Sequence, residues 1–316
     1  MSLGETGIKI FAGSSSTIFT DMICKHLDVE IGKSYSKRFS EGNTFVKVEE
    51  KVRDKDVYIV QTIGLHPNDE FMELIFWIDA FKRASASSVT AILPFFSYAK
   101  GDKKDEPRVS IRARVCADCL EVTGVDRILT MDLHSPQIQG FFKKPVDHLY
   151  GMGILCDYIK SRNIGNMVVV SPDIGFAKSA RNYANMLDAS VAIGDKTRTG
   201  HDENARILEI IGDVRGKNAM IVDDFTISCG TLIDTARALK EKGAKRIFAC
   251  VTHDLLGENG LKCLEDSPIE ELLTTDTVEN ALAQIHPKVT VVSVSHLFAQ
   301  AISIIHNRES LSQLFD

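Results

Sequence analysis

Apolar residues recur along this chain in two alternating rhythms. Short continuous runs, such as those within Ile8 to Gly13, Val89 to Phe96 and Ala219 to Val222, have the pattern of strands covered on both faces. Longer stretches repeat apolar positions every three or four residues, as in Asn68 to Ala84, which carries the only tryptophan, Trp77. The spacing predicts strands at Ile8 to Gly13, Phe45 to Val48, Asp56 to Ile63, Val89 to Phe96 and Arg127 to Leu133. It predicts helices at Ser16 to Leu27, Asn68 to Ala84 and Ile111 to Gly124. The cycle then restarts, with helices at Gly151 to Arg162, Phe176 to Leu187, Leu232 to Gly243 and from Leu297 into Asn307. Strands are expected at Met167 to Val170, Val191 to Ile193, Leu208 to Ile211, Ala219 to Val222, Arg246 to Val251 and Val289 to Val294.

Strand alternating with helix predicts an α/β fold with mainly parallel sheets and sites at the strand C-terminal ends. The two halves meet near Val146 to Gly151, which sets expected domains at 1–148 and 149–316. Two charged stretches interrupt the pattern, Tyr98 to Arg108 and Asp195 to Ala205. Both read as loops, and loops at strand ends carry function.

Bulk properties narrow the field. The 316 residues are 44% hydrophobic and 25% charged, with a net charge of −6, an ordinary globular balance that argues against nucleic-acid binding. No run approaches a membrane-spanning length and the N-terminus lacks a signal-peptide pattern, so a cytoplasmic location without membrane association is expected. The seven cysteines are scattered, and the Cys116–Cys119 pair lies on an expected helix with no second pair to complete a zinc site. They read as small core residues in a reducing compartment.

The most telling chemistry is Met220-Ile-Val-Asp223-Asp224-Phe-Thr-Ile227-Ser228-Cys229-Gly230-Thr231. A buried strand ends in two carboxylates, and a small-residue loop then enters a helix. Backbone N–H groups in such a loop bind anions, and paired carboxylates accept sugar hydroxyls or hold a metal. Phosphate beside a diol points to a ribose phosphate; the alternative is an ordinary helix cap. Ser171-Pro-Asp173-Ile-Gly175 repeats the layout, and there Asp173 suits either a helix cap or a diphosphate with a divalent cation. His134 ends another strand, in Asp132-Leu-His134. Lys196 and Arg198 are spaced to clamp phosphates, or are simply solvated charges. Phe39, in Arg38-Phe39-Ser-Glu41-Gly42-Asn43, either stacks on a base or staples a hairpin.

Together these pieces resemble the ribose-phosphate pyrophosphokinase, or phosphoribosyl pyrophosphate (PRPP) synthetase, family over almost the whole chain. The specific stretches are Thr130-Met-Asp-Leu-His134-Ser-Pro-Gln-Ile-Gln-Gly-Phe-Phe142, Pro145-Val-Asp-His-Leu149, Asp102-Lys-Lys-Asp105 with Pro107-Arg108, Ser171-Pro-Asp173 and the Val222-Asp-Asp loop. The resemblance implies two phosphoribosyltransferase-type domains, an ATP side and a ribose 5-phosphate side, with the last helix packing back on the first. It implies transfer of the diphosphoryl group of Mg-ATP to the 1-hydroxyl of ribose 5-phosphate, giving PRPP and AMP. By the same resemblance Lys196 and Arg198 are catalytic, and His134 and Asp173 meet Mg2+ or metal-bound ATP. Asp223, Asp224 and Ile227 to Thr231 hold ribose 5-phosphate. Phe39, Glu41, Gly42, Asn43, Lys100, Gly101, Asp102 and His134 meet ATP, partly across a subunit boundary. A dimer-based hexamer is implied, as are phosphate or ADP effectors.

The chain departs from the family at four places. Lys100-Gly101 replaces Arg-Gln, Glu41-Gly-Asn43 replaces Asp-Gly-Glu, Phe176 replaces a glycine, and Ile227-Ser228 replaces Asp-Thr. Lysine lacks the planar guanidinium fork, and isoleucine removes a carboxylate. These changes leave a second expectation beside the active enzyme, a weak or silent homologue that regulates a true synthetase by co-assembly.

Overall fold

The continuous apolar runs become parallel strands buried on both faces. In the computed structural model residues 7–198 and 206–314 are described, and the side chains of 196–198 and 206–208 lie outside that description. The chain forms two units. One takes the residues up to Tyr150 together with Thr277–Glu279 and the segment from Ser293 on; the other takes Gly151–Asp276 and Asn280–Val292.

The first unit opens with β1 (Ile8–Ala12), α1 (Thr17–Leu27), the hairpin strands β2 (Ser34–Arg38) and β3 (Thr44–Val48), and β4 (Asp56–Val60). Then come α2 (Pro67–Arg83), β5 (Ser88–Leu93), a 3-10 turn at Ser97–Gly101, α3 (Arg112–Thr123), β6 (Arg127–Met131) and β7 (Val146–Leu149). Its main sheet runs β1-β4-β5-β6-β7, parallel throughout, while β2 and β3 pair in a separate two-stranded antiparallel sheet. Trp77 of α2 is 1% exposed and stacks on Phe81, which meets Phe11 of β1 with ring centroids 4.6 Å apart. The indole N–H donates to Glu73 at 3.1 Å, so the buried ring keeps its polar atom satisfied.

The second unit comprises α4 (Met152–Ser161), β8 (Met167–Ser171), α5 (Ala177–Leu187), β9 (Ser190–Arg198), β10 (Arg206–Ile211), β11 (Asn218–Thr226), α6 (Gly230–Glu241), β12 (Arg246–Asp254), α7 (Glu258–Glu265), β13 (Glu271–Thr275), α8 (Ala281–Gln284) and β14 (Val289–Val292). The seven-stranded sheet runs β10-β9-β8-β11-β12-β13-β14, with β10 the antiparallel edge. The final helix α9 (Ser295–His306) belongs to the first unit, where Phe298 meets Phe19 of α1 edge-on at 5.3 Å. Glu279 joins the same unit and accepts the Phe19 N–H at 2.7 Å, capping the α1 N-terminus from far along the chain.

Two expectations change. Asp195 to Arg198 is not loop: β9 runs on through Arg198, paired with β10 from Arg206. Ladder hydrogen bonds are made by the backbone, so this polar stretch needs no apolar pattern to be strand. Residues 199–205 of that expected loop lie outside the described residues. The Tyr98 to Arg108 stretch also starts as structure, its first part being the 3-10 turn.

Candidate active site

In the second unit β11 carries the two carboxylates beyond the reach of its neighbour β8. Pairing with β8 stops at Ile221↔Val170, whereas pairing with β12 continues to Thr226↔Asp254. Asp223 and Asp224 therefore lie where the strand is supported on one side and open on the other. The Asp224 N–H donates to Asp223 Oδ1 at 3.0 Å, and the Phe225 N–H to Asp224 Oδ1 at 2.9 Å. Burial, then the charge of Asp224, and more weakly that of Asp173, hold the Asp223 carboxyl well above the usual carboxylate range. Three acidic groups from two strand ends are thus brought into one field.

The loop that follows is short and tightly wound. Cys229 precedes α6 in the left-handed region at φ 62°, and its thiol is 1% exposed and pushed up to about 12 by burial. An inert thiol inside the loop leaves the backbone and the Ser228 hydroxyl as the polar surface. Ser228 and Gly230 are exposed, and the Ile227 side chain is 50% exposed rather than tucked under the turn. Isoleucine at 227 therefore removes a carboxylate without filling the cradle.

Asp173 lies beyond the end of β8, exposed, and its Oδ1 accepts the Phe176 N–H at 3.1 Å. It stabilises the turn into α5. Lys196 and Arg198 belong by backbone to β9, opposite Leu208 and Arg206.

In the first unit the expected nucleotide residues gather after neighbouring strands. Lys100 and Gly101 close the 3-10 turn beyond β5, Asp102 follows half-buried, and His134 is exposed just beyond β6. Between β6 and His134 the chain turns at Asp132, with φ 39°, and the Leu133 N–H donates to His148 Nε2 at 2.9 Å. Burial pulls the His148 imidazole down to about 4, so it stays neutral and accepts that bond. His148 thus holds the chain just before His134; the sequence marks it only as part of the Pro145-Val-Asp-His-Leu149 stretch and gives it no role. Glu41, Gly42 and Asn43 form the turn of the β2–β3 hairpin, where Gly42 takes φ 94° and Phe39 donates its N–H to Asn43 O at 2.8 Å. Phe39 is exposed beside Phe45, with Lys37 over its ring at 5.2 Å. These contacts tie the Phe39 ring to its own hairpin.

The match to known proteins runs the length of the chain. Residues 8–124 match the model of the N-terminal domain of ribose phosphate pyrophosphokinase, and residues 199–316 that of the phosphoribosyl synthetase-associated domain. A ribose-phosphate pyrophosphokinase of Campylobacter jejuni is 42% identical over 309 residues, covering 98% of this chain and 99% of the relative. The chain belongs to the ribose-phosphate pyrophosphokinase family. One from Chlorobaculum tepidum is likewise 42% identical, over 99% of this chain and 96% of its own. The crystal structure of the phosphoribosylpyrophosphate synthetase of Mycobacterium smegmatis superposes with a TM-score of 0.91 at 36% identity, covering 96% of this chain and 99% of that one. The two mainly parallel, helix-flanked sheets are therefore the family's own architecture.

Among the described residues no group of three or more His, Cys, Asp or Glu side chains converges as a metal cage. The donors that are present, the carboxylates of Asp173, Asp223 and Asp224, are of the kind that hold magnesium, which keeps its waters and binds through one or two carboxylates together with substrate phosphates.

Proposed function

We propose that this chain transfers the diphosphoryl group of ATP to the 1-hydroxyl of ribose 5-phosphate, releasing PRPP and AMP. The observation that carries the reading is the doubled carboxylate at the open end of β11 running directly into the Ile227–Thr231 loop. Phosphate suits the loop's backbone donors and the α6 N-terminus; the ribose hydroxyls suit Asp223 and Asp224 as acceptors. Asp173 and His134 are the residues proposed to meet magnesium, which when bound neutralises charge on the polyphosphate. The negative charge that Asp224 and Asp173 place on Asp223 supports a cation in that field.

The protein's own work is positioning. Phosphoryl-type transfer has a loose transition state, so catalysis rests on alignment and on cations placed where charge spreads. Lys196 and Arg198 are proposed for that role. Phe39, Glu41, Gly42, Asn43, Lys100, Gly101 and Asp102 are proposed to hold the nucleotide, the hairpin residues from a second copy in a dimer-based hexamer. The exposed Tyr35, Phe39 and Phe45 of that hairpin support such an assembly. A cytoplasmic site of action fits a chain in which no described helix is long and apolar enough to cross a membrane.

A coupled assay tests the reading. The isolated chain with Mg-ATP should form AMP only when ribose 5-phosphate is present, and Lys196→Ala should lose about a hundredfold or more in turnover. No PRPP from folded, magnesium-saturated protein would favour the silent, co-assembling homologue, for which Ile227 and Lys100-Gly101 are the sequence grounds.

A further inference from the structure

Arg112 begins α3 against the electrostatics of a helix. A helix N-terminus carries partial positive charge and favours carboxylates, yet α3 starts with this guanidinium and has no acidic residue in its first turn. Among the described residues the Arg112 side chain forms no hydrogen bond and no ion pair. A lysine or arginine placed so, without a partner, destabilises its helix.

Its side chain lies instead across Gly101. A Cβ built on Gly101 would stand 2.6 Å from Arg112 Nε, 2.9 Å from its Cβ and 3.3 Å from its Cζ. Any side chain at 101 would therefore push Arg112 aside. Gly101 is not among the glycines with positive φ, so its backbone conformation does not call for glycine. The missing side chain and the overlying guanidinium account for each other: Arg112 fills the space that residue 101 vacates, and Gly101 is buried beneath it.

This pair sits where β5 leads through the 3-10 turn into α3, at the C-terminal edge of a parallel sheet, the edge where ligands bind. Lys100 at the same turn is a point charge without a plane. Arg112 offers a flat face and a fixed fork of donors, which suit an adenine ring and phosphate oxygens alike.

We propose that Arg112 is a nucleotide-binding residue of this chain, its guanidinium laid over Gly101 to supply the planar cation that Lys100 lacks. The inference rests on the reading of the Ser97–Asp102 turn as part of the ATP site.

Steady-state kinetics on the full chain decides it. Arg112→Ala should raise KM for Mg-ATP about tenfold or more and leave KM for ribose 5-phosphate within about twofold. Arg112→Lys should not rescue, because the plane is lost. Gly101→Gln should raise KM for Mg-ATP by displacing Arg112. Combining Lys100→Arg, Gly101→Gln and Arg112→Ala should return KM for Mg-ATP to within about threefold of the parent, a non-additivity expected of coupled neighbours. Thermal unfolding of Arg112→Ala should match or exceed the parent, and Arg112→Gln serves if the alanine variant does not fold. An unchanged KM for Mg-ATP in Arg112→Ala, or an equal rise for both substrates, overturns the proposal. If the parent makes no PRPP, the enzymatic reading falls instead. Calorimetric titration of parent and Arg112→Ala with Mg-ATP then still decides the inference, equal affinities overturning it.

Discussion

Asp254 shows how much one buried carboxyl can cost. It ends β12 opposite Thr226, is 2% exposed, and its Oδ1 accepts the Leu256 N–H at 2.8 Å while Oδ2 has no partner. Burial pushes its carboxyl up to about 6, against the pull of the Leu256 N–H. The folded state therefore binds the proton more tightly than the unfolded chain, whose Asp titrates near 3.9. The protonated form's contribution to stability is complete below about pH 4 and is lost as pH rises through about 6, a cost of about 3 kcal/mol above that window. Asp254→Asn keeps an acceptor for Leu256 and removes the titration. It should raise the unfolding midpoint at pH 8 and change little at pH 4, as read by calorimetry at the two pH values. An equal shift at both would show that charge is not the cause. The same physics acts on Asp223, where burial and the neighbouring Asp224 on the open side of β11 hold its carboxyl up. That is the pattern of a site kept for a cationic or hydroxyl-rich partner rather than for stability.

At the scale of elements, the structure separates what pattern can reveal from what it cannot. Strands β4 and β8 are legible because burial on both faces leaves unbroken apolar runs. Strand β13 escapes that reading. Its Thr274 and Thr275 are buried, and the latter's hydroxyl donates to Thr252 O at 2.7 Å, so polar residues occupy a core strand without an unpaired group. Likewise α7, eight residues long, is too short to show a period. Part of its stability comes from Lys288, whose ammonium donates to Leu264 O at 3.1 Å, Glu265 O at 2.8 Å and Ser267 O at 3.0 Å, closing the helix C-terminus from a distant segment. Lys288→Met should cost about 1–3 kcal/mol and lower the unfolding midpoint by a few degrees. An unshifted midpoint would mean that water replaces all three bonds without loss. The candidate site divides in the same way. Asp173, Asp223 and Asp224 stand out because acids at the ends of apolar runs are conspicuous. Arg112 does not, since an arginine on an amphipathic helix reads as solvated surface until Gly101 is seen beneath it.

At the scale of the molecule, the first unit is assembled from both ends of the chain. The α9 helix buries Phe298, Ala299, Ala301 and Ile302, Phe298 facing Phe19, and Glu279 caps α1. Ending the chain at Val292 should therefore weaken the N-terminal unit and spare the other. Hydrogen exchange should report faster amides in α1 and β1 while β8, β11 and β12 stay protected; uniform loss would show that α9 serves both units. The order of synthesis gives this arrangement a further meaning. Strands β1 to β7 leave the ribosome first, yet the helix that covers α1 leaves only after β14 has been made. Until then α1 has an uncovered apolar flank, while the second unit already has every strand it needs. The half translated first is thus the half completed last, and during that interval Phe19 and its neighbours are a natural target for a chaperone that grips exposed aromatic surface.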